Sequence, residues 1–314
     1  MSAFRHVYGP VPSRRLGRSL GVDIVPFKVC PYDCVYCQLG RTTERTAARR
    51  EFVPLDDILA ELERKLTAGP VPDYISLSGS GEPTLFSRAG ELLRGIKKLT
   101  AVPTAVLTNG ALLWRDDVRE DLQAADLVLP SLDAGDEGMF KYVNRPCGEI
   151  VFDRMVDGLE AFTRDFRGEV WLEVMLLGGV TGLPGEARKI AALCRRIAPA
   201  RIQLNTVSRP PAEDFAFPVP PDEMGSLARL FPGVVEVISP TGPGPAAEAD
   251  ARRPEEGEIL ELVRRRPCTA ADVAGGLGLH LTEALKALGS MRGRGLVKTT
   301  VSGGRTFYVP GCGA

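Results

Sequence analysis

Between Leu20 and Ser239, short apolar runs alternate with longer segments whose apolar residues recur every three or four positions. The runs predict seven strands, at residues 20–27 (LGVDIVPF), 74–79 (YISLSG), 104–110 (TAVLTNG), 127–133 (LVLPSLD), 170–179 (VWLEVMLLGG), 201–207 (RIQLNTV) and 234–239 (VVEVIS). Between the first two, LDDILAELERKLTAG sets Ile58, Leu59, Leu62 and Leu66 on one helix face and stops at Gly69. Strand and helix in strict turn predict a parallel sheet, because parallel neighbours need a connection that recrosses the sheet. Six such units fit an α/β fold of the partial (β/α)6 TIM-like barrel type over residues 1–240.

The pattern changes at SPTGPGPAAEADARRPEEGE, residues 239–258, which is rich in Pro, Gly and Ala and has no period. It reads as a linker, placed at 241–256. Beyond it, EILELVRRR, TAADVAGGLGL and LTEALKALGSMRGRG predict three short helices, and LVKTTVSGGRTFYVP predicts two strands joined by Ser302, Gly303 and Gly304. That order is that of a small winged helix-turn-helix domain over 257–314. No internal repeat is present.

Composition narrows the possible functions. The 314 residues are 44% hydrophobic, enough for a large core, and 39 Lys+Arg balance 40 Asp+Glu, so the whole chain carries no polycation signature. Any nucleic-acid contact must be local. The last module is the candidate, since Arg264 to Arg266, Lys286, Arg292, Arg294, Lys298 and Arg305 outnumber Glu258, Glu261, Asp272 and Glu283. RNA and peptide are both open as its partner. No signal peptide and no run of about 18 apolar residues is found, so a cytoplasmic protein without a membrane partner is expected. Seven cysteines, four of them isolated, suit a reducing compartment.

The other three cysteines fall within eight positions of VCPYDCVYCQLG: Cys30, Cys34 and Cys37. Ordinary buried thiols would not cluster beside Pro31 and Asp33. A structural zinc site needs a fourth ligand, but the only histidines are His6 and His280, and the next cysteine is Cys147. Three thiolates suit an iron-sulfur cluster with one iron left open, and an open coordination position marks chemistry.

CPYDCVYC, with its C-x3-C-x2-C spacing and an aromatic before the last cysteine, resembles the radical S-adenosylmethionine (radical SAM) superfamily. The resemblance implies that Cys30, Cys34 and Cys37 bind three irons of a 4Fe-4S cluster and that SAM takes the fourth. Tyr36 would lie along the adenine or its cluster side. It also implies reductive cleavage of SAM to a 5′-deoxyadenosyl radical, hydrogen abstraction from an unidentified substrate, and an external low-potential donor of the flavodoxin or ferredoxin type.

SGSGEPTL is similar to that superfamily's Gly-Gly-Glu-Pro segment. Gly79, Ser80 and Gly81 would let backbone approach SAM, and Glu82 would meet its ammonium; a plain strand-to-helix turn is the other reading. Thr108, Asn109, Ser131 and Asp133 are polar residues at the mouth end of strands, where ribose or substrate would lie, although Asn109-Gly110 equally fits turn chemistry. Glu173 interrupts an apolar strand, so it is either a ribose or methionyl contact or one half of an internal salt bridge with an Arg. Gln203 and Asn205 share one strand face and are SAM or substrate candidates. Arg14, Arg15 and Arg18 suit an anion site or a plug at the barrel bottom, and Arg145 a substrate contact.

VYGPVPSRRLGRSLGVDIVP and LNTVSRPPAE further resemble the wyosine-synthase-like subgroup, many of whose members have no assigned substrate. Wyosine synthases modify tRNA and carry extra cysteines upstream; no cysteine precedes Cys30. A tRNA- or RNA-modifying enzyme and a non-catalytic iron-sulfur or SAM-sensing DNA-binding regulator are the alternatives.

Overall fold

The apolar runs pair into one parallel sheet, and the amphipathic segments become helices that cover its outer face. The computed structural model describes residues 5–238 and 255–311. An antiparallel hairpin comes first, β1 (Val7–Ser13) and β2 (Gly17–Val22), then a short separate pair, β3 (Val29–Cys30) and β4 (Glu44–Arg45). The repeating part runs α1 (Leu55–Ala68), β5 (Tyr74–Leu77), α2 (Ala89–Leu99), β6 (Thr104–Thr108), α3 (Asp116–Leu122) and β7 (Leu127–Pro130). It continues with α4 (Glu137–Val143), α5 (Phe152–Asp165), β8 (Glu169–Gly178), α6 (Pro184–Ile197) and β9 (Arg201–Thr206). β10 (Phe217–Pro218), α7 (Pro221–Ala228) and β11 (Val235–Val237) close this part. The sheet order is β1-β2-β5-β6-β7-β8-β9-β11, parallel from β2 onward, with β10 antiparallel on β8. The sheet is open, with β1 and β11 at its edges.

Side-chain alternation decides which face meets the helices. On β8, Val170, Leu172, Val174 and Leu176 are buried in the main core, while Trp171, Glu173 and Met175 project from the other face. That inner face carries its own small apolar cluster of Leu16, Ala105, Leu127 and Leu129, with Tyr74, Leu107 and Trp171 against it. Leu16 belongs to the β1–β2 turn, so this turn folds over the inner face as a plug. On α1, Ile58 and Leu62 are fully buried, Leu59 and Leu66 pack at the margin, and the helix ends at Gly69 as the pattern predicts.

Two strand expectations change. The first strand ends at Val22 rather than residue 27, because Asp23 leaves the sheet to receive Ser80 N (3.0 Å) and Oγ (2.6 Å). β1 was not expected, since Gly9, Pro10 and Pro12 break its alternation. It is an edge strand, where a missing N–H costs no ladder bond, and buried Glu61 of α1 accepts the His6 and Val7 N–H groups at 2.8 Å each.

The C-terminal segment forms α8 (Glu256–Arg265), α9 (Ala270–Leu277), α10 (Leu281–Gly293) and the hairpin β12 (Val297–Ser302) and β13 (Arg305–Pro310). Ser302 pairs with Arg305, so the turn is Gly303-Gly304 alone, at φ +53° and +70° where glycine is unstrained. The expected 241–256 linker lies outside the described residues up to 254; Glu255 and Glu258 form a capping box, so α8 starts one residue before 257. This module has its own core, around Ile259, Val273, Leu288 and Met291, which Val11 of β1 joins. Arg265 pairs with Asp23 at 2.8 Å and lies 4.1 Å over the Tyr8 ring, while Arg209, beyond β9, donates to Pro267 O at 3.0 Å. The module therefore touches both the β1–β2 edge and the chain leaving β9.

Candidate active site

The cysteine loop starts at β3 and is pinned by backbone bonds to residues 143–147. Val35 N donates to Val143 O (2.9 Å), Asp33 N to Asn144 O (3.0 Å), and Cys147 N to Pro31 O (2.8 Å). Tyr32 is buried edge-on against Phe140, 5.3 Å between centroids, which anchors the loop to α4. Each sulfur then receives one side-chain N–H: Lys28 Nζ to Cys37 Sγ at 3.1 Å, Asn109 Nδ2 to Cys30 Sγ at 3.3 Å, and Asn144 Nδ2 to Cys34 Sγ at 3.4 Å. Burial, with Glu82 adding to it, pushes the Cys30 thiol up to about 12, and burial also raises Cys34. Such thiols stay protonated until a cation takes the thiolate.

The glycine segment is built for close packing. A Cβ on Gly79 would lie 2.3 Å from Asp23 Cγ, and one on Gly81 would lie 2.5 Å from Val29 O. With Ser80 bonded to Asp23, and Ser80 O accepting from Lys28 N at 2.7 Å, the segment presses against β2 and β3. Glu82, 3% exposed, accepts from Thr84 Oγ1 (2.6 Å) and Thr108 Oγ1 (2.5 Å) on Oε1 and from Asn109 N (2.8 Å) on Oε2. Burial raises its pKa against these bonds. No cation pairs with it among the described residues.

Asp133, also buried, ties three elements together. It accepts from the Tyr36 hydroxyl, from Asn144 Nδ2 at 2.8 Å and from Met175 N at 3.0 Å, and burial raises its pKa. Thr108, Asn109 and Asp133, at the ends of their strands, thus lie beside the cysteine loop that carries Tyr36.

The Radical SAM superfamily profile matches residues 24–194. The chain belongs to the radical SAM superfamily. Enzymes of this superfamily use a 4Fe-4S cluster and SAM. Among curated relatives, a UPF0026 protein of Methanocaldococcus jannaschii is 37% identical, with 73% of this chain and 71% of that protein covered. One of Synechocystis is 41% identical, with 67% and 78% covered, so the chain is also a UPF0026 protein. A Brachyspira hyodysenteriae protein named "GTPase Obg" is 38% identical over 86% of this chain, which spans only 40% of that protein's length. Among solved structures, a radical SAM methyltransferase of Sphaerobacter thermophilus has TM-score 0.51 at 16% identity, with 70% of this chain and 66% of that one covered. Streptococcus suis SuiB has TM-score 0.52 at 16% identity, with 69% and 49% covered. These last two likenesses concern the fold.

A radical SAM cluster fits the donor set. Cys30, Cys34 and Cys37 lie on one loop and each sulfur has its own N–H donor, which suits a four-iron cluster that takes each thiolate on a different iron. SAM fits the buried carboxylate of Glu82, whose charge has no cationic partner among the described residues.

Other radical SAM candidates fall on the inner face. Ser131 bridges Glu173, and the Glu173 carboxylate lies against the Arg15 guanidinium. Gln203, 1% exposed, is in register with Glu173; it donates to Glu236 at 3.0 Å, and its Oε1 has no partner among the described residues. Asn205 donates to Gln203 O at 3.4 Å. Arg145 pairs with Glu213 at 2.5 Å, and Arg18 lines a cavity of about 270 Å³ between β1 and the α8–α9 face. Sequence reasoning missed Lys28 and Arg209. Lys28's one signal is a cation two residues before Cys30; Arg209 has none, since its neighbours come from the distant module.

Proposed function

We propose that this radical SAM enzyme cleaves SAM reductively and abstracts a hydrogen atom from a substrate held between the barrel and the C-terminal module. The reading is carried by one observation: three clustered sulfurs, each with its own N–H donor, beside a buried carboxylate that has no cationic partner among the described residues. When bound, the cluster supplies one low-potential electron to the SAM sulfonium, and the adenosyl fragment takes hydrogen from the substrate. Cys30, Cys34 and Cys37 would hold the cluster. Lys28, Asn109 and Asn144 hold the thiolates in place and stabilise their charge. Glu82 binds the SAM ammonium through Oε2, which carries fewer bonds than Oε1. Asp133 keeps Tyr36 and Asn144 oriented. An external flavodoxin or ferredoxin type donor delivers the electron.

The expected partial barrel over 1–240 is kept, and the C-terminal module begins at Glu256 rather than 257; its order of three helices and a hairpin supports a winged-helix reading. Kinship to the wyosine-synthase-like proteins rests on the motifs around Cys30 and Asn205. The experiment is anaerobic reconstitution with iron and sulfide, then dithionite and SAM. The expected result is 5′-deoxyadenosine, absent from a Cys30→Ala control; equal yields from both proteins would sink the proposal.

A further inference from the structure

We infer that Arg265 of the C-terminal module is a positioning residue for SAM, acting through Asp23 on the segment that carries Glu82, so that docking of the module and binding of SAM are coupled; this rests on the enzyme reading above. Asp23, directly after β2, is the node. Its Oδ1 accepts Ser80 N at 3.0 Å and its Oδ2 accepts Ser80 Oγ at 2.6 Å. The same Oδ2 accepts Arg265 Nη1 at 2.8 Å, from a residue 242 positions further along the chain. Gly79 packs its backbone directly on this carboxylate, since a Cβ there would lie 2.3 Å from Asp23 Cγ. Ser80 O accepts Lys28 N at 2.7 Å, and Glu82 N donates to Val29 O at 3.1 Å. Asp23 therefore fixes the stretch between β5 and Glu82 against the start of the cysteine loop. Arg265 has a second hold on that stretch: its guanidinium lies 4.1 Å over the Tyr8 ring, and the Tyr8 hydroxyl is 3.1 Å from Ser78 Oγ.

Burial gives this ion pair its weight. The side chains of Asp23 and Arg265 are 10% and 17% exposed, and Arg265 is the cation paired with Asp23 among the described residues. An exposed pair contributes little, but removing one partner of a buried pair leaves a charge without compensation. When Arg265 withdraws, Asp23 recovers solvation by turning toward water or taking a proton, and either way Ser80 loses a charged acceptor. Slack at Ser80 passes to Glu82 two residues later, and a carboxylate that must meet an ammonium within hydrogen-bond distance tolerates little of it. The coupling is reciprocal: whatever Arg265 adds to SAM affinity, SAM adds to docking of the module. Arg209 on Pro267 O at 3.0 Å and Val11 in the module's core also support that docking, so loss of Arg265 loosens the module without detaching it.

The test is equilibrium dialysis of SAM against the reconstituted full chain, without reductant so that SAM is not consumed. Arg265→Gln should raise the dissociation constant about 5- to 50-fold, and Arg265→Lys, which keeps the cation, should recover part of that loss. Asp23→Asn should weaken SAM as well, and adding Arg265→Gln to it should cost no more than about a further twofold, because both act through one carboxylate. Arg294→Gln, which breaks the module's own pair with Glu256, should leave SAM affinity unchanged. Amide hydrogen exchange gives a second readout: SAM should slow exchange in α8 of the wild-type chain, and Arg265→Gln should speed it at residues 78–82 before SAM is added. Thermal melts establish that each variant is folded. Three results would overturn the inference: SAM affinity of folded Arg265→Gln within about twofold of wild type, a double variant whose two losses multiply, or α8 exchange indifferent to SAM. A wild-type holoenzyme that neither binds SAM nor forms deoxyadenosine defeats the enzyme reading itself, whereas one that does both beside an unaffected Arg265→Gln defeats the coupling alone.

Discussion

Replacing Lys28 by Met should lower the reduction potential of the reconstituted cluster. Lys28 is 3% exposed, its ammonium donates to Cys37 Sγ at 3.1 Å, and no carboxylate pairs with it among the described residues. The sulfur is therefore its principal partner. Adding an electron makes the sulfur a stronger acceptor, so the bond favours the reduced state. A hydrogen bond involving a charged group contributes about 1.5–3 kcal/mol, and 59 mV corresponds to a factor of ten in a one-electron equilibrium. If the whole of that contribution distinguished the two states, the shift would reach roughly 130 mV; half of it gives about 60 mV. Met keeps the length and apolar stem, so packing changes little. The assay is a redox titration followed by electron paramagnetic resonance at matched iron content. The neutral donors Asn109 and Asn144 should contribute roughly half as much. A Lys28→Met potential within about 20 mV of wild type, with the cluster fully loaded, would refute the assignment.

Glu82→Gln keeps an acceptor for Thr84 and Thr108 but turns an amide N–H toward Asn109 N; it should destabilise the apo chain by about 1–3 kcal/mol and weaken SAM at least about tenfold in equilibrium dialysis. SAM affinity that does not change would remove Glu82 from the site. Leu62→Ala empties a fully buried position between α1 and the sheet, and urea unfolding should show a loss of about 2–5 kcal/mol. Burial raises Asp272, but Arg209 and Thr269 outweigh it and leave the folded pKa below the ordinary value, so its contribution is present above about pH 4 and fades as pH falls through the folded value. Asp272→Asn should therefore cost about 1 kcal/mol at pH 7 and nothing once the wild-type carboxyl is protonated, compared by urea melts at the two pH values.

The repeating strands and helices were legible because each obeys a local rule. A strand covered by helices on one face shows its apolar run, and an amphipathic helix such as α1 shows its stripe whatever it packs against. β1 was hidden, since its glycine and prolines are acceptable only at an edge, and edge position is a property of the assembled sheet. The cysteine motif could be read from the sequence because three cysteines in eight positions need no long-range information. Asn109 was half legible: as a turn residue it was expected, but its contact with Cys30 joins residues 79 positions apart.

The sequence by itself determined the order of the repeating strands and helices, the cysteine motif and the polar residues at the strand ends. Tertiary structure alone decided what those polar groups meet. Glu173 lies against Arg15 because a turn near the start of the chain folds over a strand more than 150 residues later. Lys28, Asn109 and Asn144 reach one sulfur each because β3, β6 and the end of α4 converge, and Arg209 meets Pro267 because the last module docks across both the first hairpin and the chain leaving β9. Periodicity and spacing report whatever a residue's neighbours along the chain dictate. Hydrogen bonds and charge depend on distance in space, which only the closed packing of the sheet, its helices and the module sets.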